Sequence, residues 1–218
     1  MDRLDRIVKR RRPIARKERL FSAGSELKTL YVARAGSFKT VALSEDGQQQ
    51  VIGFHLPGEL MGLDALGSGH HRCDAEALEP AAVCEVPLGD LERVAAAVPG
   101  LQHQLLSVIG GSMSRDQDHM QMLGRRQASE RILLFLHGLV ERYRALGHPD
   151  DLLVLSMSRE DIASYLGLVI ETVSRSFSRL QDDGVIAVHG RQVRVLDAAR
   201  FAALAHEAVA VGRTTQSY

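Results

Sequence analysis

The sequence predicts an α+β protein in three parts: a small β-barrel or jelly roll, then one long helix, then a C-terminal winged helix-turn-helix. Three observations carry this. Between Leu20 and Leu88 the apolar pieces are short and are punctuated by Gly24, Gly36, Gly47, Gly53, Gly58, Gly62, Gly67 and Gly69, the texture of many short strands joined by turns. Leu106, Ile109, Met113, Asp116, Met120 and Leu123 then recur at steps of three and four, a heptad seam on a helix. From Ser158 to Gln181 two short amphipathic patterns flank Gly167-Leu168, and a hairpin pattern comes after them, which is the signature of a winged helix-turn-helix. The expected domains are residues 1–98, the helix 99–125 and residues 126–218.

Composition limits the alternatives. The chain has 218 residues, with 27 basic and 27 acidic side chains, so net charge gives no global argument for a polyanionic partner. The charge is unevenly spread: nine basic and three acidic residues up to Arg19, then six and thirteen up to Gly124, then twelve and eleven. A local basic footprint is enough for a DNA-binding dimer. Two cysteines, Cys73 and Cys84, make no secreted disulfide framework. No apolar run reaches the length of a membrane span, and no signal-peptide core comes after the basic start. A cytoplasmic protein with no membrane partner is expected.

Taken in order, Leu4, Ile7 and Val8 share a helical face, so a short first helix is expected up to about Lys9, with Pro13 ending it or bending the chain beyond it. The basic run Lys9–Arg12 is most simply a solvated surface. Strands fit Leu30–Ala33, Phe38–Leu43, Gln50–Phe54 and Ala81–Val86. Ser44-Glu45-Asp46-Gly47 and His55-Leu56-Pro57-Gly58 are turns. Gly58-Glu59-Leu60 and then Gly62–Leu66 break the strand rhythm and fit a short helix held between turns. A pocket inside such a roll is a natural sensor site, although a fully packed roll that binds nothing is the plainer reading.

The segment from Pro99 to about Arg125 reads as a dimer helix because its seam is more apolar than a lone surface helix needs. Ile109, Met113, Asp116, Met120 and Leu123 are the candidate interface residues. Asp116 is the odd member. Across a two-fold axis it would meet its own copy and repel it; at the edge of the seam it would stand in water with no switching role. Both readings stay open at this point.

Gln127–Leu146 is a further amphipathic helix, with Ile132, Phe135, Leu136, Leu139 and Tyr143 inward, and Gly147–Asp151 is a loop. Ser158 is the expected N-cap of the next helix, with Asp161 as its partner and Gly167 as its left-handed stop. Ile170–Gln181 is the second helix of this unit, with Val173, Phe177 and Leu180 inward and Glu171, Ser174, Arg175, Ser178 and Arg179 outward. Val185–Val188 and Val193–Leu196 make a two-stranded wing, Ala198–Ala210 a last helix, and Gly212–Tyr218 a mobile tail. Arginine donates two hydrogen bonds to guanine O6 and N7, glutamate accepts one from cytosine N4, and serine bonds a base edge or a phosphate. Glu171, Ser174 and Arg175 are placed for bases and Arg179 for phosphate. The same geometry also serves protein contacts.

Several stretches together resemble the CRP/FNR family of bacterial dimeric transcription regulators, most closely its FNR branch. They are LFSAGSELKTLYVARAGSFKT from Leu20, GFHLPGELMGLDALGSGHH from Gly53, VCEVP from Val83, RDQD from Arg115 and SREDIASYLGLVIETVSRSFSRLQDDGVIAV from Ser158. The resemblance implies a cyclic-nucleotide-binding-like roll, a dimerisation helix and a winged helix in a homodimer. It implies that Glu171, Ser174 and Arg175 read the inner bases of a TTGAT-type half-site, two of which form an inverted repeat in double-stranded DNA. It matches Asp116 to the interface aspartate whose repulsion keeps the apo protein from pairing well. It places contacts to RNA polymerase on the roll surface, including the turn around Ser44–Gln48, and implies control, including activation, of oxygen- or redox-responsive genes.

The FNR branch holds a [4Fe–4S] cluster on four thiolates. Cys84 matches the fourth ligand, the three N-terminal ligands have no counterpart in this sequence, and Cys73 matches a non-ligand position. No cofactor is therefore fixed for this chain, and a cluster is the expectation for a longer full-length form. The CRP branch binds a cyclic nucleotide through a Gly-Glu-Leu turn and an Arg-Ser pair, echoed in part by Glu59 and by Arg72 beside Cys73. A haem-sensing relative would use a histidine or cysteine, for which His55, His70 and His71 are available. Cys73 and Cys84 form no Cys-x-x-Cys pair, which argues against a catalytic disulfide. No zinc spacing, nucleophile elbow or phosphate-cradling loop is present, and His119 beside Asp116 makes no catalytic set without a nucleophile. No enzymatic activity is expected.

Overall fold

A computed structural model of the chain describes residues 8–10, 13–44, 47–125, 127–149 and 151–214. The chain divides into two compact units between Asp116 and Gln117.

The strands of the first unit are β1 (Lys9–Arg10), β2 (Arg19–Phe21), β3 (Thr29–Ala35), β4 (Phe38–Leu43), β5 (Gln49–His55), β6 (Leu60–Met61), β7 (Asp74–Ala77) and β8 (Ala82–Pro87). Among the described residues they form two four-stranded antiparallel sheets, ordered β1-β8-β3-β6 and β2-β7-β4-β5. This is the expected roll. Its core contains Phe21, Phe38, Met61, Cys73, Ala75, Ala77 and Val83. Phe38 and the two alanines come from the inward positions of paired strands β4 and β7, so small residues make room for a ring. The turn between β3 and β4 needs glycine at Gly36. Its φ is 71°, and a Cβ there would lie 2.8 Å from the Pro80 carbonyl oxygen. The β4–β5 turn closes with the Ser44 amide donating to Gln48 O (3.0 Å) and the Gly47 amide to Ser44 O (2.9 Å). Glu45 and Asp46 of that expected turn lie outside the described residues.

The expected first helix does not reach Lys9. Lys9 and Arg10 are extended and pair with Glu85 and Cys84; the strand ladder takes their backbone groups, and residues 1–7 lie outside the described residues, as do Arg11 and Arg12 of the basic run. Leu60 does not break the strand rhythm but pairs with Val32 in β6, and the short helix after Gly62 is a single 3₁₀ turn, Leu63–Ala65. Helix α1 (Leu88–Ala97) is not among the expected elements. It begins directly after β8, and Leu91 joins Leu27, Leu30, Ala65, Val86 and Leu101 in a second buried cluster.

Helix α2 runs from Pro99 to Arg125 as expected, opening on a proline whose missing amide costs nothing at a first helical position. Leu106, Met113 and Met120 stand 63%, 58% and 63% exposed on it, and Ile109 and Leu123 are half-buried.

In the second unit, α3 (Ala128–Ala145) starts from a capping box in which the Gln127 amide donates to Glu130 Oε2 (3.1 Å). It buries Ile132, Leu133, Phe135, Leu136, Leu139 and Val140. Tyr143 is only half-buried, and its hydroxyl donates to Val154 O (3.3 Å). The wing has three strands, not two: β9 (Leu152–Val154) pairs with β11 (Gln192–Val195), which pairs with β10 (Ile186–His189). Leu153 and Val193 are buried partners across that ladder, so the third strand supplies the apolar cover a bare hairpin lacks. The last helix, here α6 (Ala198–Thr214), outruns its expected end and includes Gly212–Thr214 of the expected mobile tail; residues 215–218 lie outside the described residues. Phe201, Ala205 and Ala208 on its inner side are buried. Among the described residues no helix is long and apolar enough to cross a membrane.

Candidate nucleic-acid interface

Helix α4 (Arg159–Leu166) and helix α5 (Ile170–Asp182) form the helix-turn-helix. Ser158 caps α4: its Oγ accepts from the Asp161 amide (3.0 Å), while Asp161 Oδ2 accepts from the Ser158 amide (2.9 Å) and hydroxyl (2.7 Å). The helix stops at Gly167, left-handed at φ 61° and ψ 42°, with the Leu168 amide donating back to Ala163 O (2.9 Å), a closure that L side chains resist.

Helix α5 is held from behind by Val173 and Phe177, at 0% and 3% exposure, with Leu180 half-buried rather than inward. The Arg159 guanidinium lies 3.4 Å from the centroid of the Phe177 ring, a cation–π contact, and burial pulls its pKa below the ordinary arginine value. Glu171, Ser174, Arg175, Ser178 and Arg179 are all exposed on the other face. The Ser174 hydroxyl donates to Ile170 O (3.0 Å), leaving its lone pairs outward. Two neighbours of this face, Val169 and Ile170, are not among the residues the spacing singles out. Val169 is 63% and Ile170 36% exposed at the start of α5. The available signal was a pair of β-branched apolar residues just before Glu171, off the Val173–Phe177 face.

The roll treats its chemistry-bearing residues differently. Asp64 takes three donors: its Oδ1 lies 3.3 Å from His71 Nδ1, and its Oδ2 accepts from the Arg72 amide (2.7 Å) and the Cys73 thiol (3.5 Å). Buried His71 stacks on Phe21 with centroids 3.9 Å apart. Burial first, then the Asp64 charge, pushes the Cys73 thiol up to about 12. Glu59 Oε2 accepts from the Leu56 amide (3.0 Å) and closes its own turn. His55 Nε2 lies 3.2 Å from Thr40 Oγ1, and His70 Nδ1 lies 3.4 Å from Ser68 O. Cys84 is half-buried on β8, where alternation puts it on the strand face opposite Val83.

A four-thiolate cluster does not fit these cysteines. There are two in the chain, both free, and Cys73 is held as a neutral thiol in the core. Among the described residues no group of three His, Cys, Asp or Glu side chains could hold a metal ion. At about pH 8 an alkylating reagent is expected to label Cys84 and spare Cys73 until the protein is unfolded; equal labelling of both in the folded state would contradict the assignment. Because the Cys73 value rises from 9.0 to about 12 on folding, its contribution to stability is complete below about 9 and lost as pH climbs toward 12.

Two family models match the chain: a cyclic nucleotide-binding domain over residues 11–97 and a Crp-like helix-turn-helix domain over residues 130–204. The fumarate and nitrate reduction regulatory protein of Salmonella typhimurium is 40% identical over 94% of this chain and 82% of its own length. The transcriptional activator protein Anr of Pseudomonas protegens is 44% identical over 94% of this chain and 84% of its own. The solved structure of FixK2 from Bradyrhizobium japonicum superposes with a TM-score of 0.81 at 32% identity, covering 91% of this chain and 97% of that one. With this likeness running through the roll, the long helix and the reading unit, the chain belongs to the CRP/FNR family of transcription regulators, close to its FNR branch, and is a regulator rather than an enzyme.

Proposed function

We propose that the chain is a cytoplasmic, homodimeric regulator that binds duplex DNA at a TTGAT-type inverted repeat. The observation that carries this is the face of α5, where Glu171, Ser174 and Arg175 are exposed in line while Val173 and Phe177 anchor the helix behind them. Arg175 and Glu171 read a guanine and a cytosine edge, Ser174 a neighbouring base, and Arg179 a phosphate. Val169 and Ile170 give exposed apolar surface a use, as contacts to thymine methyl groups. Titration of a labelled inverted repeat against a shuffled duplex at one salt concentration is the test. Specific binding should be at least about a thousandfold tighter; equal affinity would remove the reading.

The dimer forms through Ile109, Met113, Asp116, Met120 and Leu123 of α2, which we take as the dimerisation helix of a three-part chain divided at 98 and 125. The exposure of Met113 and Met120 supports this. Leu123 is also used within the subunit, since its Cδ2 would meet a Cβ at Gly167 at 3.6 Å. Two Asp116 carboxylates facing one another weaken pairing. Asp116→Ala should therefore raise the dimer fraction in sedimentation equilibrium and strengthen operator binding; an unchanged monomer fraction would dismiss the repulsion.

The names of the relatives point to genes of fumarate and nitrate reduction and to transcriptional activation. We carry both over as control of oxygen- or redox-responsive genes, through RNA polymerase contacts on the roll surface and the turn at Ser44–Gln48. The cysteines of this chain do not support cluster sensing within it. A ligand-gated mode of the CRP type draws on the cyclic-nucleotide match over residues 11–97. Against it stand the engagement of Glu59 in its own turn and the Asp64 carboxylate beside Arg72, which opposes a phosphate there.

A further inference from the structure

The carbonyl end of α4 is held by side chains from two other helices. His119, in the last turns of α2, has Nε2 2.8 Å from Tyr165 O. A carbonyl only accepts, so Nε2 carries the proton in this contact. The same imidazole lies flat on the Tyr165 ring, with centroids 3.8 Å apart and planes 6° from parallel. Tyr165 in turn meets the buried Phe135 ring of α3 at 5.8 Å. One residue on, Arg131 of α3 donates from Nη1 to Leu166 O (3.0 Å). All of these residues lie in the second unit.

The last carbonyls of a helix have no partner within it, and donors or cations placed there stabilise the end. Here the donors do more, because the turn beyond them is itself held. The Leu168 amide is returned to Ala163 O, Gly167 is left-handed, and α5 begins at Ile170. The backbone from Tyr165 to Leu168 is therefore fixed on both its carbonyl and its amide side, and little chain remains to absorb a displacement before the reading helix starts.

We propose that His119 is a positioning residue for operator recognition: through Tyr165 it fastens the end of α2 to the turn from which α5 departs. It thereby sets the angle at which each reading helix departs from the last turns of α2. The inference rests on the DNA-reading function proposed above. A loosened fastening leaves each α5 able to read its own half-site but removes the fixed relation between two of them, so the loss falls on discrimination of half-site spacing.

The test uses the full chain with His119→Ala, His119→Gln, which keeps an N–H donor, and His119→Phe, which keeps a ring but no donor. Amide exchange at residues 167–172 should rise about tenfold in His119→Ala, the worth of one hydrogen bond, with α6 unchanged. Affinity for a duplex carrying one half-site should stay within about threefold of wild type, while the preference for the best-spaced inverted repeat over one lengthened by about two base pairs should fall about tenfold. His119→Gln should recover most of that preference and His119→Phe should not. Unchanged exchange, or parallel loss on the single half-site and the paired site, would overturn the proposal. A wild-type protein with no preference for any inverted repeat would instead refute the operator reading and His119's part in it. The exchange data would then decide the fastening alone.

Discussion

Arg175→Ala is expected to weaken binding to the cognate operator by about 1–3 kcal/mol per half-site and to relax the preference at one base pair. The reason is geometric. Arg175 is exposed one turn after Glu171 and beside Ser174 on a helix whose back is sealed by Val173 and Phe177. Its planar fork can satisfy both acceptors of a guanine at once, and no other base pair presents that pair of acceptors in the major groove. The loss should be concentrated on the matched sequence, so that the variant binds matched and mismatched duplexes more nearly alike. Arg179→Ala is the contrast. As a phosphate contact it should weaken all duplexes about equally and reduce the salt slope by about one. Competition titrations against duplexes substituted at single positions separate the two. Equal weakening on specific and random duplexes would move Arg175 from base reading to backbone contact.

The largest effect on stability is expected from Phe177→Ala. Phe177 is 3% exposed, and its ring carries the Arg159 guanidinium at 3.4 Å. Truncating a buried ring costs about 3–5 kcal/mol through lost transfer energy and the cavity left behind. It also strands Arg159, which burial already disfavours as a cation. Phe177→Leu, which refills much of the space, should recover most of that loss. Thermal or urea unfolding monitored by a probe confined to the second unit measures this. A change under about 1 kcal/mol in the alanine variant would mean that α5 is not anchored by this ring.

The parts legible in the sequence are those whose cause is local. Ser158 and Asp161 cap α4 through bonds three residues apart, and Gly167 ends it by its own φ. The helix expected from Pro99 to about Arg125 around the Leu106–Leu123 seam is α2. The parts that are not legible depend on distant partners or on weak local signals. Strand β9 is three residues long and is a strand only because β11 pairs with it. Lys9 and Arg10 are extended because β8 offers an edge, which their helical apolar pattern could not reveal. Helix α1 begins at Leu88 directly after β8 ends at Pro87, so no turn residues mark its start even though Leu91 is buried. At the site, the exposed face of α5 is legible from spacing alone. The Asp64 web is not, because one carboxylate gathers His71, Arg72 and Cys73 across a turn. Nor is the His119–Tyr165 contact, which spans 46 positions.

Sequence-specific reading by a symmetric pair is tested most directly by selecting binders for the purified protein from random duplexes and sequencing them. Enrichment of a TTGAT-type half-site repeated in inverted orientation is expected, with half-site centres about one helical turn, roughly 10–10.5 base pairs, or a multiple apart. Arg175→Ala should abolish the preference at one position of each half-site. Recovery of a pool with no inverted repeat, or one that Arg175→Ala enriches identically, would contradict DNA reading through α5.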